Sequence, residues 1–450
     1  MAAASLAKRR PFYGWIVVSV VTIVSATSMA LAGFNFGLFI VPMEKELGIS
    51  RAMFGWALTA RQLSSAATSP LLGRIIDSYG ARVPLIVATL ITMLGMCLMP
   101  FIEFDWQMVV VFAVMGALGY LGPGALVIVT PVAKWFVQNR ARAMSIVSIG
   151  APIGAILFIP LTQVFIDIWG WKGAWFGLAA VGGAIVLPLA LFVRRQPEDM
   201  GLRPDGLSLR AEGEASEGVA ERTEGQPDDE ESWTTSEALR TTTFWQLVIV
   251  FSLVMLGMSS VGLHRIPHFD DQGIDPTLIS IGIALDATAA TVGTLVVGVF
   301  MQRWPARYVG SVGLATIAVS ILLTIYATNA PMMFISMISF GLSLGALLLL
   351  QNFLWADYFG RKYAGGVRGA AMPVTLIFSS AGPPAAGYVN DATGSYNPIW
   401  WVGLVLMLAG ALVLLMTQPP KKGRSESVDR YRPVHRAERD DPITDLGLPT

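Results

Sequence analysis

The chain is short of charge, cysteine and histidine, and each shortage closes off a class of function. Of its 450 residues only 14% are Asp, Glu, Lys or Arg while 54% are hydrophobic; soluble domains carry about 25% charged residues. A chain so poor in charge is built for a bilayer. The single cysteine, Cys97, lies inside an apolar run, can form no internal disulfide and reads as packing. His264, His268 and His435 are scattered and, with one cysteine, offer no metal-ligand spacing. There is no G-x-x-x-x-G-K-[ST] phosphate loop, so ATP-driven work has no support. No basic surface interleaved with aromatics points to nucleic acid. Gly341-Leu342-Ser343-Leu344-Gly345 fits the hydrolase pattern G-x-S-x-G, but that nucleophile needs a strand-to-helix turn with His and acid partners. Inside an apolar run it reads as small-residue helix packing. Neither an enzyme nor a cofactor is indicated.

What is present is a series of long apolar runs. A bilayer core takes about 20 apolar residues per helix, and twelve segments qualify: 12–40, 51–73, 83–101, 107–132, 141–166, 172–193, 242–264, 276–301, 308–327, 331–356, 367–389 and 398–417. They are too long, and alternate too little, for barrel strands. Lys and Arg sort to alternate loops. Lys8, Arg9, Arg10, Arg74, Arg82, Lys134, Arg140, Arg142, Arg303, Arg307, Arg361, Lys362 and Arg368 fall on one side, against Lys45, Arg51, Lys172 and Arg265 on the other. The positive-inside rule then puts both termini in the cytoplasm of a multi-pass plasma-membrane protein. Lys8–Arg10 before a run ending Ala30-Leu31-Ala32 imitates a signal peptide, but the run is longer than the usual 7–15 residues and reads as helix 1. Residues 194–241 are polar and acidic, and 418–450 are charged; both read as disordered cytoplasmic segments, the first linking two six-helix halves.

Gly73-Arg74-Ile75-Ile76-Asp77-Ser78-Tyr79-Gly80-Ala81-Arg82 packs an acid and two arginines between two apolar runs, and Gly298, Gln302, Pro305 and Arg307 echo it at an offset of 225. The segment resembles the G-x-x-x-D-x-x-G-x-R loop between helices 2 and 3 of the major facilitator superfamily. A second echo joins Trp135–Arg142 to Tyr358–Gly365, each followed by a Gly- and Pro-rich helix. Gly37 to Pro42, Glu46–Arg51, Trp135-Phe136 with Arg140 and Arg142, and Gly170-Trp171-Lys172 are similar to the monocarboxylate and oxalate/formate branch. The resemblance covers nearly all of the first half and is weaker in the second. The first loop departs from the family pattern at Ser78, where a basic residue is usual, and the second has lost its acid to Gln302. What the resemblance implies is an all-α transporter of twelve transmembrane helices in two pseudo-symmetric bundles, working as a monomer by alternating access around a site between the halves.

Arg61 lies about 15 Å into helix 2 at 1.5 Å per residue. An arginine there costs about 2.5–3.5 kcal/mol or more, so it should face a cavity or a partner. Its planar fork suits a carboxylate, and an anionic substrate follows; a structural arginine is the alternative. Asp286 sits at the same depth of helix 8, again at the offset of 225. It reads equally as a proton-coupling acid or as the counterion of Arg61. The monocarboxylate branch often has an arginine one turn later, where this chain has Ala290. His264 and Arg265 close helix 7 at its outer end, where an anion would enter, although interfacial snorkelling is the simpler account of them. Asn35 and Tyr120 are candidate substrate contacts or interhelical bonds. Gln351 and Asn352 are candidate gate residues, and Asn390 and Asp391 mark an outer helix end. Gly73, Asp77, Gly80, Arg82, Arg140 and Arg142 read as gating loops, with Asp77 and Arg82 latching the halves. The expected cargo is a small organic anion such as a monocarboxylate, by proton symport or exchange. A proton-coupled exporter of drugs or hydrophobic solutes and a non-transporting sensor are the rivals.

Overall fold

The computed structural model describes residues 12–30, 33–118, 131–132, 134–136, 139–203, 205, 233–301, 303–360 and 364–420. The first half comprises α1 (Tyr13–Ala30), α2 (Gly33–Leu47), α3 (Arg51–Tyr79), α4 (Arg82–Leu98), α5 (Asp105–Leu118) and α6 (Arg140–Ala190). The second comprises α7 (Thr242–Asp271), α8 (Pro276–Phe300), α9 (Ala306–Tyr326), α10 (Ala330–Phe359), α11 (Ala364–Thr393) and α12 (Asn397–Met416). The first expected span is shared by α1 and α2, and the fifth and sixth run together as α6. They are separated at Gly170, whose φ of 68° with ψ of 174° breaks the helix. Only glycine holds that conformation without strain.

Seven of these helices are long and apolar enough to cross a membrane on composition alone. Two of the others fall short for identifiable reasons. α3 carries Arg51, Arg61, Arg74 and Asp77, and α11 is diluted by glycine, serine and three prolines, Pro373, Pro383 and Pro384. Missing side chains allow helices to touch. A Cβ on Gly293 would stand 2.0 Å from the Leu342 carbonyl oxygen, and one on Gly345 would stand 1.8 Å from that of Ala290. Gly341 and Gly345 are thus packing residues between α8 and α10, as small residues commonly are in bilayers.

Both halves keep their own core, and they meet through α3 with α11, α6 with α8, and α2 with α7. One end of the bundle, here the sealed face, carries Ser50, Asp271 and Asp391; the opposite, terminal face carries Tyr13 and Met416. The segment expected to be a disordered linker is structured at both edges. Pro197–Met200 forms a 3-10 turn, and Thr235–Ala238 a helical turn closed by a Thr234–Glu237 capping box. Residues 206–232 and the tail from 421 to 450 lie outside the described residues.

Candidate functional site

α3 and α11 form a seam that can be followed residue by residue. Ser50 precedes α3 but gives it no side-chain cap. The cap comes from the other half, where the Asp391 carboxylate accepts from the backbone N–H groups of Arg51 at 3.0 Å and Ala52 at 3.1 Å. An acid at a helix N-terminus satisfies orphan donors and complements the dipole. The Arg51 side chain extends this clasp. Its Nη2 donates to Asp271 at 2.8 Å, its Nη1 to the Tyr396 hydroxyl at 3.0 Å and its Nε to Glu44 at 2.9 Å. Burial, the largest influence, moves the Tyr396 phenol above its ordinary range, so the hydroxyl stays neutral. Deeper in, Trp56 Nε1 donates to the Tyr388 hydroxyl at 3.1 Å, the Thr59 hydroxyl to the Ser380 carbonyl, and the Ser380 hydroxyl to Gln62 at 3.4 Å.

Arg61 lies on α3 between two residues of this seam, Thr59 and Gln62, and its backbone packs against α5. Its Nη1 is buried and has no hydrogen-bond partner among the described residues. α5 approaches its backbone through Gly116, where a Cβ would stand 2.2 Å from the Arg61 carbonyl oxygen. α5 then continues toward residues 119–130, which are outside the described residues together with Tyr120. That stretch, Gly-Tyr-Leu-Gly-Pro-Gly-Ala-Leu-Val-Ile-Val-Thr, contains no acid that could neutralise Arg61.

Asp286 has a different partner from the one the offset suggested. It is paired with Arg265 Nη2, and both side chains are all but fully buried, at 3% and 1% exposure. The guanidinium also lies 4.3 Å from the centroid of the Phe340 ring. Arg265 was expected to snorkel at a helix end, but α7 runs on to Asp271 and leaves it inside the protein. Gly341 makes room for the acid: a Cβ there would stand 2.8 Å from Asp286 Oδ1. The pairing is incomplete, since Arg265 Nε, Arg265 Nη1 and Asp286 Oδ1 are buried without partners among the described residues. A buried pair with spare valences is poor stabilisation, and those valences can serve a polar occupant.

His264 is also fully buried, and its Nε2 donates to the Pro383 carbonyl at 2.8 Å, tying α7 to α11. Asn35 Nδ2 donates to Thr162 Oγ1 at 2.7 Å, an interhelical bond between α2 and α6. Gln351 is half-buried near the terminal end of α10 and Asn352 follows it. Gly73 and Asp77 belong to the last turns of α3. Gly80 closes that helix at a φ of 84° with its N–H on the Ile76 carbonyl, and Arg82 opens α4. Arg140 opens α6, and the Arg142 guanidinium lies 5.6 Å from the Trp15 ring centroid. The interhalf clasp is therefore at the end opposite these loops. Sequence reasoning missed Arg51, Asp271, Asp391 and Tyr396 as its members. Only the acid at the end of α11 gave a signal, and its target is 340 residues away.

The sequence profile of the Major Facilitator Superfamily matches residues 18–372 and 266–444. The chain is 24% identical over 417 residues to monocarboxylate transporter 13 of Bos taurus, covering 90% of this chain and 89% of that protein. It is 21% identical over 285 residues to the oxalate:formate antiporter of Oxalobacter formigenes, 63% of this chain and 61% of the relative. Among solved structures, the nucleoside transporter NupG superposes with a TM-score of 0.65 at 15% identity, over 89% of this chain and 99% of the other. A bacterial homologue of the human lysosomal transporter Spinster, in an inward-facing and occupied conformation, gives 0.60 at 14%, over 91% and 96%.

Proposed function

The chain belongs to the Major Facilitator Superfamily: it is a multi-pass membrane protein with a secondary-transporter fold, and not an enzyme. We propose that its cargo is a small organic monoanion bound at mid-depth between the halves. One observation carries this reading. Among the described residues, the charged side chains far from either face with unsatisfied buried atoms are Arg61, Arg265 and Asp286, and Asp286 is already paired with Arg265. One positive charge is left over, on a side chain whose buried Nη1 has no hydrogen-bond partner among the described residues. A carboxylate fills that place with charge-assisted hydrogen bonds, which are roughly twice as strong as neutral ones. Relatives named for monocarboxylates and for oxalate and formate support the same substrate class.

Transport in this reading is alternating access. The clasp of Arg51 with Asp271 and Asp391 shuts the outer side, both termini lie in the cytoplasm, and the Gly73–Arg82 loop latches the inner side in the opposite state. Coupling to protons, or exchange against a second anion, acts through the Arg265–Asp286 pair, whose opening frees a second guanidinium. The exporter reading requires an unpaired acid, and the ion pair disfavours it. Proteoliposome uptake tests the site: Arg61→Ala should lower uptake of monocarboxylates by about 10- to 100-fold while the purified protein stays folded. Unchanged uptake of every organic anion tried would sink the proposal. Asp286→Asn should remove substrate-linked alkalinisation if the carrier is a symporter and impair anion exchange if it is an exchanger.

A further inference from the structure

The membrane-facing side of the second half holds a groove that transport does not use. It lies at the terminal face between α9 and α12, has a volume of about 740 Å3, and is lined by Arg303, Trp304, Pro305, Tyr308, Ser311, Val312, Ala315 and Leu415. Its floor is closed by the Ser311 hydroxyl, which donates to the Arg307 carbonyl at 2.7 Å and to the Ala411 carbonyl at 3.0 Å. No acidic side chain lines it. Trp304 and Val312 are more than 60% exposed, so the groove opens toward lipid. Arg307 stands at its mouth, 4.8 Å from the Tyr308 ring centroid, with Nη2 on the Tyr308 hydroxyl at 3.0 Å. Arg303 beside it is exposed and has no side-chain ion pair among the described residues.

The internal repeat explains the charge. Shifted by 225, Gln302 corresponds to Asp77 and Arg303 to Ser78. The second loop has lost the acid that its counterpart keeps, while each loop carries two arginines, Arg74 and Arg82 in the first and Arg303 and Arg307 in the second. Two arginines without an in-loop counterion now sit next to a tryptophan and a tyrosine, with an aliphatic channel leading away from them into the hydrocarbon. Aromatic residues mark the headgroup level of a bilayer, and basic pockets between helices at that level bind anionic headgroups.

We propose that this groove holds one anionic phospholipid of the adjacent leaflet. Its phosphate lies on Arg303 and Arg307, its glycerol near Trp304 and Tyr308, and an acyl chain along Val312, Ala315 and Leu415. Inorganic phosphate would satisfy the arginines but leave the apolar channel empty; the lipid satisfies both.

The test is native mass spectrometry of the full chain, delipidated in detergent and titrated with phosphatidylglycerol or with phosphatidylcholine of the same chains. A single phosphatidylglycerol adduct should form at concentrations about 25-fold below phosphatidylcholine. Arg303→Gln with Arg307→Gln should bring the two lipids level, at about 5-fold loss per arginine. Val312→Trp, which fills the channel and leaves both charges, should also remove the adduct. Equal retention of the two lipids by the unsubstituted chain, or undiminished phosphatidylglycerol binding in the double variant, overturns the proposal. Should the double variant fail to fold, Arg303→Gln alone decides it, because that side chain is exposed and packs against nothing that holds the helix.

Discussion

Arg61 and Arg265 are both arginines deep in the bilayer, one in each half, but they are accommodated in opposite ways. Arg265 has an acid on the next helix, an aromatic ring beneath it and almost no exposure. Arg61 has a buried donor, Nη1, with no hydrogen-bond partner among the described residues. The first arrangement resembles a finished structural element with a few spare valences; in the proposed function the second is held ready for the cargo. An unpaired charge in that position is costly to keep, so the two residues should respond differently when removed.

The largest effect should come from breaking the pair. Asp286→Ala leaves Arg265 charged and alone, and removing one partner of a buried pair costs about 3–5 kcal/mol; chemical unfolding in micelles measures it. Arg265→Gln combined with Asp286→Asn should restore most of that loss, since neither partner is then stranded. Arg61→Ala should do the reverse, with stability equal to or above that of the unsubstituted chain and anion uptake lower by about 10- to 100-fold. If both alanine variants were destabilised alike, the distinction between a structural and a receptive arginine would collapse.

The clasp comes next in size. Asp391→Ala removes the cap that one half supplies to the other, and lost caps cost about 0.5–2 kcal/mol. The outward-open population should rise by about 2- to 30-fold, seen as faster thiol labelling of a cysteine placed at Trp56 in the Cys97→Ala background. No change in labelling would mean that the cap stabilises α3 without gating. The smallest effect belongs to Glu46, outside the membrane. Hydrogen bonds from Lys172, the larger influence, and from Trp171, each at 2.6 Å, hold its carboxyl below the ordinary value of 4.5. A depressed folded value means that the contribution is complete above about pH 4.5 and is lost as pH falls through the lower folded value. Lys172→Ala should therefore leave melting at pH 7 nearly unchanged and make the acid side less steep. The pair is exposed and its contribution small.

Much of the fold was legible in the sequence, because bilayer helices announce themselves by length and apolarity. The division between the spans 141–166 and 172–193 was readable, and so was the Gly341–Gly345 motif as packing, since each rests on local chemistry. The offset of 225 puts Arg61 and Asp286 at matching positions along α3 and α8. It did not give their partners. A repeat fixes depth, whereas partnership depends on helix rotation, and Asp286 turns toward α7 within its own half. Arg265 was misplaced because Pro267, His268, Asp270 and Asp271 look like loop while α7 continues through all of them. Asp391 was read only as a helix end because its bond partners are backbone N–H groups, which every sequence has and none displays.

The crossing of α3 and α11 has a mechanical side. At Gly55 the two helices touch through backbone alone: a Cβ there would stand 2.4 Å from the carbonyl carbon of Pro383 and from the nitrogen of Pro384. Gly387 meets Ala52 in the same manner one step further out, at 2.3 Å from its Cα. No side chains interlock at these two points, so nothing there has to be unmeshed when the halves part. They behave as a smooth bearing, with the Arg51 clasp as the catch at its rim, and a single methyl group at position 55 would act as a shim that keeps the door from shutting.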